Sequence, residues 1–234
     1  MSIEKIEALK QFDTPSITNV VAGYPQEKDT CLGLYNPWQS GWYTDASLKC
    51  MFPEIGRVAG HVVTVEYGVY DPLFDRLTMV DLVKALDESP KPTILAIKQN
   101  MPDHIKNKNG LLGGIMMSTF KACGVVGVLT DGPSRDLDEV RPMGLQYMLT
   151  GVCAGHGKFS IYSINNGVNI CGMDVIPGEI VHMDENGACK FPAKYIDEVV
   201  RRCGIKAEEE DKRQSALRAC KNAKEVLEFM TGKK

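Results

Sequence analysis

A chain of 234 residues with 44% hydrophobic and 24% charged residues has the size and balance of one globular domain with additions, and it can bury a core without covalent staples. A net charge of −3 and a pI near 5.9 give no electrostatic reason to expect nucleic acid or an anionic membrane as a partner. No apolar run is long enough to span a membrane, residues 1–11 are too polar for a signal peptide, and the eight cysteines form no C-x-x-C pair, so the expectation is a cytoplasmic protein with reduced thiols and no zinc site.

In chain order, residues 2–11 predict a short helix, and Thr14 as N-cap with Pro15 in the first helical position opens a second through Val21. Residues 22–56 are irregular and rich in Gly, Pro and aromatics. Within 31–52, Trp38, Trp42 and Tyr43 read as packing or a subunit contact ahead of a pocket wall. Alternation marks a strand over 57–70. Met79, Leu82, Val83 and Leu86 at helical spacing mark a helix over 78–89, and Thr93 to Ile97 is a buried strand.

Further on, 145–152 and 159–164 read as strands and 165–172 as a turn-bearing connection. Residues 180–183 and 188–191 form a hairpin around Asp184-Glu185-Asn186-Gly187. Pro192 and Ala193 open a helix through Arg202. A separate charged helix over 206–230 completes a C-terminal extension (206–234) on a single domain, with the acidic run Glu208-Glu209-Glu210-Asp211 as a solvated face. Strands and helices mix without strict βαβ alternation, which predicts a layered α/β or α+β domain.

The most informative stretch lies between. Gly113-Gly114-Ile115-Met116 opens an amphipathic run, Gly124 ends it, and the apolar run Val125-Val126-Gly127-Val128-Leu129 leads back to Arg135-Asp136. A helix over about 113–123 climbs roughly 16 Å and a five-residue strand returns about the same distance. Arg135 and Asp136 are thereby predicted level with the free amides at the helix start. A guanidinium, a carboxylate and unpaired N–H groups at a glycine corner suit a small anion and a divalent cation. Spacing alone leaves a second reading open, a flexible glycine turn beside an exposed ion pair.

Several segments together resemble the RraA-like family, which includes the 4-hydroxy-4-methyl-2-oxoglutarate / 4-carboxy-4-hydroxy-2-oxoadipate aldolases. They are Asp13-Thr14-Pro15-Ser16, Arg57-Val58-Ala59-Gly60-His61-Val62-Val63-Thr64-Val65, the stretch from Gly113 to Glu139, and Val175-Ile176-Pro177-Gly178-Glu179 with Asp184-Glu185-Asn186-Gly187. Counted from Gly114, the third is similar to the family's G-x20-R-D-x2-[ED] pattern, with Glu139 last. The resemblance covers roughly residues 12–192. It implies a β/β/α sandwich of the swivelling-domain type, within the α/β (α+β) class, assembled as a homotrimer or dimer of trimers.

In the aldolase branch the resemblance implies a Mg²⁺- or Mn²⁺-dependent lyase that cleaves 4-hydroxy-2-oxo acids to pyruvate or decarboxylates oxaloacetate. Arg135 and Asp136 would be the catalytic pair, with Arg135 on the keto acid and Asp136 on the metal. The amides of Gly113, Gly114, Ile115 and Met116 would hold substrate. The aldolase branch carries an acid where this chain has Gly114. That glycine is similar to the branch that inhibits an RNA-processing endonuclease, so a protein-binding regulator is the alternative, with a lyase or isomerase on a sugar-acid-derived substrate as a third. Asp131 is a possible metal helper, or else the cap of the Gly132-Pro133 turn. Glu54 and Glu179 are candidate carboxylates from a neighbouring subunit. His61 and His182 read as structural, His104 as surface, and His156 with Lys158 as members of a glycine-flanked loop that could reach substrate.

Overall fold

The computed structural model describes residues 3–232 apart from 25, 28, 40, 74 and 75. The chain begins with α1 (Ile3–Leu9) and α2 (Thr14–Val21), followed by the two-residue strand β1 (Lys49–Cys50) and the long strand β2 (Val58–Val69). Then α3 (Met79–Glu88), β3 (Thr93–Asn100), the one-turn helix α4 (Asp103–Lys106), α5 (Gly114–Ala122), β4 (Val125–Thr130), α6 (Leu137–Val140) and β5 (Gln146–Leu149) complete a parallel unit. Strands β6 (Phe159–Ile164), β7 (Val168–Ile170), β8 (Met173–Val175), β9 (Ile180–Asp184) and β10 (Gly187–Phe191) precede α7 (Ile196–Ala219) and α8 (Ala223–Met230).

β2, β3, β4 and β5 pair in parallel at the centre of the sheet. The helices α3, α5 and α6 supply the crossovers that parallel strands require. The sheet runs β1-β5-β4-β3-β2-β9-β10. β2 is long enough to take β9 along its first residues and β6 along its last, both antiparallel.

Alternation along β2 and β3 sorts side chains to two faces. Val63, Val65, Leu95 and Ile97 meet Leu82 and Leu86 of α3 and Met117 and Phe120 of α5. On the other face Val62, Ile94 and Ala96 meet Ile170, Met173 and Val175 of the β7–β8 hairpin. Helices on one face and a strand hairpin on the other give the β/β/α layering. A third cluster packs Ile6 and Leu9 of α1 and Ile17 and Val20 of α2 on Ile180, Phe191 and Val199.

Three local readings change. The cap of α2 is Asp13, whose side chain accepts from the Ser16 amide at 2.9 Å. Thr14 is instead tied by its hydroxyl to His182 Nδ1 at 2.9 Å and by its amide to Asp184 at 2.7 Å. The connection over 165–172 contains β7 and leads into β8. The tail is not a new helix from 206: α7 runs unbroken through Gly204, turns after Ala219, and continues as α8. The acidic run is solvent-facing, with Glu208, Glu209 and Asp211 exposed. Among the described residues no helix is long and apolar enough to cross a membrane.

Candidate functional site

α5 starts at the paired glycines, with Gly113 in the extended N-cap position. Nine helical residues and the six of β4 bring the chain back level with that start. The Arg135 amide donates to the Leu112 carbonyl at 3.1 Å, and the Gly114 amide donates to Asp136 Oδ2 at 3.1 Å. Asp136 occupies the left-handed region at φ 60°, which Asp tolerates better than most residues. The chain reverses there into α6, with the carboxylate left on the helix start. An acid at that position is stabilised by the free amides and the positive end of the helix.

Arg135 Nε lies 3.5 Å from Asp136 Oδ2, within ion-pair range. It is buried and makes no hydrogen bond. Both side chains remain about one third exposed, at 32% and 30%.

Ser134 fixes this corner. Its buried hydroxyl accepts from the Leu112 amide at 2.9 Å and donates to the Leu112 carbonyl at 3.1 Å. Tyr147 Oη donates to the same carbonyl at 3.2 Å, and burial pushes its phenol pKa up, so it stays a donor. Ser134→Ala leaves a buried amide without its acceptor. It is expected to cost roughly 1–3 kcal/mol of stability in urea unfolding, with no change in the number of bound metal ions.

At either glycine an added side chain would meet the far end of a carboxylate side chain, which would have to move. A Cβ on Gly113 would meet Asp136 Oδ2 and come within 3.2 Å of Arg135 Nε, and one on Gly114 would overlap a Glu139 carboxylate oxygen. Glu139 therefore fills the space that a side chain at 114 would take. Its carboxylate joins that of Asp136 at the start of α5. Sequence reasoning placed Glu139 in the pattern but gave it no role, and the signal was the absent acid at 114.

Arg135, Asp136, Leu137, Asp138, Val152, Cys153 and Ala154 line an open hollow of about 480 Å³, enough for a small acid. Ile115 is 87% exposed in the first turn of α5, while Met116 is half-buried. The 151–158 loop is tied down beside the site, since Gly151 accepts from the Ser134 amide, Cys153 donates to Ser134, and Gly155 accepts from Gly110. His156 and Lys158 line a different hollow with Tyr70 and Phe159.

Asp131 accepts from the Gln99 amide at 2.7 Å and pairs with Lys98 at 2.6 Å and Lys106 at 3.7 Å. Two ammonium groups and a backbone donor engage its carboxylate, so its place is with Lys98, Lys106 and Gln99. Glu54 pairs with Arg141, and Glu179 with Lys190, within the chain. Trp42 is buried and stacked on Tyr35 at 5.3 Å, while Trp38 is 95% exposed, and neither lines the hollow beside Arg135. His61 and His182 are buried in the sheet, and burial lowers the pKa of each.

The residues present fit a divalent cation. Asp136 lies against Gly113 and Glu139 against Gly114, and although no cluster of three or more His, Cys, Asp or Glu side chains is placed to hold a metal among the described residues, Mg²⁺ commonly takes one or two carboxylates and keeps its waters. Asp136 and Glu139 are the donors that would hold it. Gly113→Ala should crowd the Asp136 carboxylate and weaken Mn²⁺ binding roughly tenfold or more, read by calorimetry.

A family model described as RraA-like, Aldolase/RraA, matches residues 39–189. The chain belongs to the RraA-like family. That family holds both aldolases and RNase E inhibitors, and its aldolases are typically dependent on divalent metals. An uncharacterised protein of Methanocaldococcus jannaschii is 30% identical over 115 residues, 48% of this chain and 55% of that protein. The chain thus spans about half the length of that curated relative.

Among solved structures, an uncharacterised protein from Pseudomonas syringae superposes with a TM-score of 0.72 at 18% identity, over 99% of this chain and 95% of the other. Streptomyces coelicolor RraAS2, described as an unusual member of the RNase ES inhibitor RraA family, gives 0.67 at 17% identity, over 94% and 98%. At such identities these two likenesses establish the RraA-like fold and nothing about activity.

Proposed function

We propose that this RraA-like protein is a Mg²⁺- or Mn²⁺-dependent carbon–carbon lyase acting on a small 2-oxo acid, by retro-aldol cleavage or decarboxylation, and that it works as a homotrimer or dimer of trimers. The observation that supports the reading is the placement of Arg135, Asp136 and Glu139 against the paired glycines at the start of α5. When bound, the cation supplies Lewis-acid stabilisation of charge on the 2-keto oxygen.

The chain's own groups do the rest. The Arg135 guanidinium binds the substrate carboxylate and faces the keto oxygen as negative charge develops there. The first-turn amides of α5, at Ile115 and Met116, lack intrahelical acceptors and offer further donors. Asp136, held by the Gly114 amide, keeps its charge at the helix start. Glu139, over Gly114, would share with Asp136 the hold on the cation.

The test is pyruvate release from 4-hydroxy-4-methyl-2-oxoglutarate and from oxaloacetate with Mg²⁺ or Mn²⁺, with Arg135→Ala and Asp136→Ala as controls. Turnover that either variant retains in full would remove this site from the chemistry. Gly114, where the aldolases carry an acid, favours a second reading, a protein-binding regulator of an RNA-processing endonuclease. No turnover on a broad 2-oxo acid panel, together with endonuclease binding, would select it.

A further inference from the structure

The glycine corner is tied at one buried backbone carbonyl, that of Leu112. Its oxygen accepts from the Arg135 amide at 3.1 Å, the Ser134 hydroxyl at 3.1 Å and the Tyr147 phenol at 3.2 Å. A carbonyl has two lone pairs, so the first two donors already satisfy it. Both come from the segment that follows β4, whereas Tyr147 comes from β5.

Tyr147 is fully buried in the helix-side core with Leu95, Phe120 and Val128. Phenylalanine would fill that volume without a polar atom to take out of water. For the fold alone the hydroxyl is therefore superfluous. What it adds is a fixed point. The ring stacks on Phe52 at 5.8 Å, Phe52 lies under the Arg141 guanidinium at 4.6 Å, and the Tyr147 carbonyl accepts from the Met51 amide at 2.9 Å.

Both halves of the site hang from the Leu112 peptide. On one side follow Gly113 and Gly114, and the Gly114 amide holds Asp136. On the other, Arg135 is bonded to the same carbonyl through its own amide. A tilt of that peptide shifts the start of α5 against the Asp136 and Glu139 carboxylates that rest on it.

We propose that Tyr147 is a positioning residue for this site: through the Leu112 carbonyl its hydroxyl sets the start of α5 against Arg135 and Asp136, and with it the placing of the two carboxylates. The inference rests on the metal site of the lyase reading, and Tyr147 itself touches neither cation nor substrate.

Tyr147→Phe removes the hydroxyl and keeps the ring. Its urea midpoint should match that of the unaltered protein, because Leu112 keeps two donors. Mn²⁺ affinity, read by calorimetry, should fall about tenfold, the scale for a group that orients a metal ligand from behind. At saturating Mn²⁺, kcat for pyruvate release should fall by about the same factor. KM should change less, since Arg135 keeps its amide bond to Leu112. Leu86→Ala, on α3 in the same core cluster, separates position from stability: it should unfold at lower urea and keep its Mn²⁺ affinity. Full Mn²⁺ affinity and kcat in Tyr147→Phe overturn the inference, as does an equal loss of affinity in Leu86→Ala. If the unaltered protein binds Mn²⁺ and releases no pyruvate, the lyase reading ends and the Mn²⁺ comparison alone decides the role of Tyr147. An unaltered protein that binds no Mn²⁺ removes both.

Discussion

Arg135→Ala will lower kcat/KM for pyruvate formation by about a thousandfold, the scale at which loss of one preorganised donor to a developing oxyanion is felt. The fold should survive. The side chain is 32% exposed and its ion-pair partner is Asp136 at 3.5 Å, while the bond from its amide to Leu112 is independent of the side chain. Arg135→Lys keeps the charge but loses the planar fork, so recovery should be partial, with KM affected more than kcat.

Asp136→Asn separates the metal from the anion site. The asparagine oxygen can still accept from the Gly114 amide, yet the charge is gone, so Mn²⁺ affinity should fall while unfolding by urea barely changes. An Arg135→Ala protein that kept full turnover with either metal would end the proposal.

The corner itself was legible because it depends on lengths alone. Helix and strand rises nearly cancel between Gly113 and Asp136, and no tertiary information is needed to bring the ends together. The strands β2 and β3 were legible from their apolar content and alternation, since both faces of the sheet are covered.

What sequence did not reveal depended on where side chains point. Ser134 looks like any turn serine until Leu112 is placed against it, and Glu139 has no visible partner until Gly114 lies beneath it. Asp131 invited a metal role because it is five residues from Asp136, but Lys98 and Lys106 come from other elements. β7 and β8 are three residues each, too short for periodicity to register. The sequence reading ended one helix at Arg202 and began another at 206, whereas α7 runs unbroken across Gly204, packed through Val199 and Cys203 against α1 and α2.

The protein's stability should fall on mild acidification, and His182 is the chief cause. The imidazole is fully buried, and desolvation pushes its pKa from 6.5 down to about 4. Asp184 and the Leu9 backbone pull the other way without reversing that direction. In the unfolded chain the ring takes a proton near its ordinary pKa, and in the folded chain it resists until about 4, so between those values the unfolded state binds more protons. Stability is then complete above about pH 6.5 and declines as pH falls toward 4. The loss is about 3 kcal/mol, since each tenfold weakening of proton binding in the folded state is worth roughly 1.4 kcal/mol. His61, lowered in the same direction by burial, adds to the slope.

The carboxylates held below their ordinary values, Asp13, Glu54, Asp81 and Glu198, act in a separate and lower window, because the unfolded references are 3.8 and 4.5. Urea unfolding at fixed protein concentration, stepped from pH 7.5 to 4.5, reads the histidine window directly. His182→Gln should start lower by roughly 1–2 kcal/mol, because the bond to Thr14 is altered. Its profile over the same range should be nearly flat, with only the His61 contribution left. A wild-type profile without slope there, or a glutamine variant with the same slope, would show that His182 is not the group that couples folding to protons.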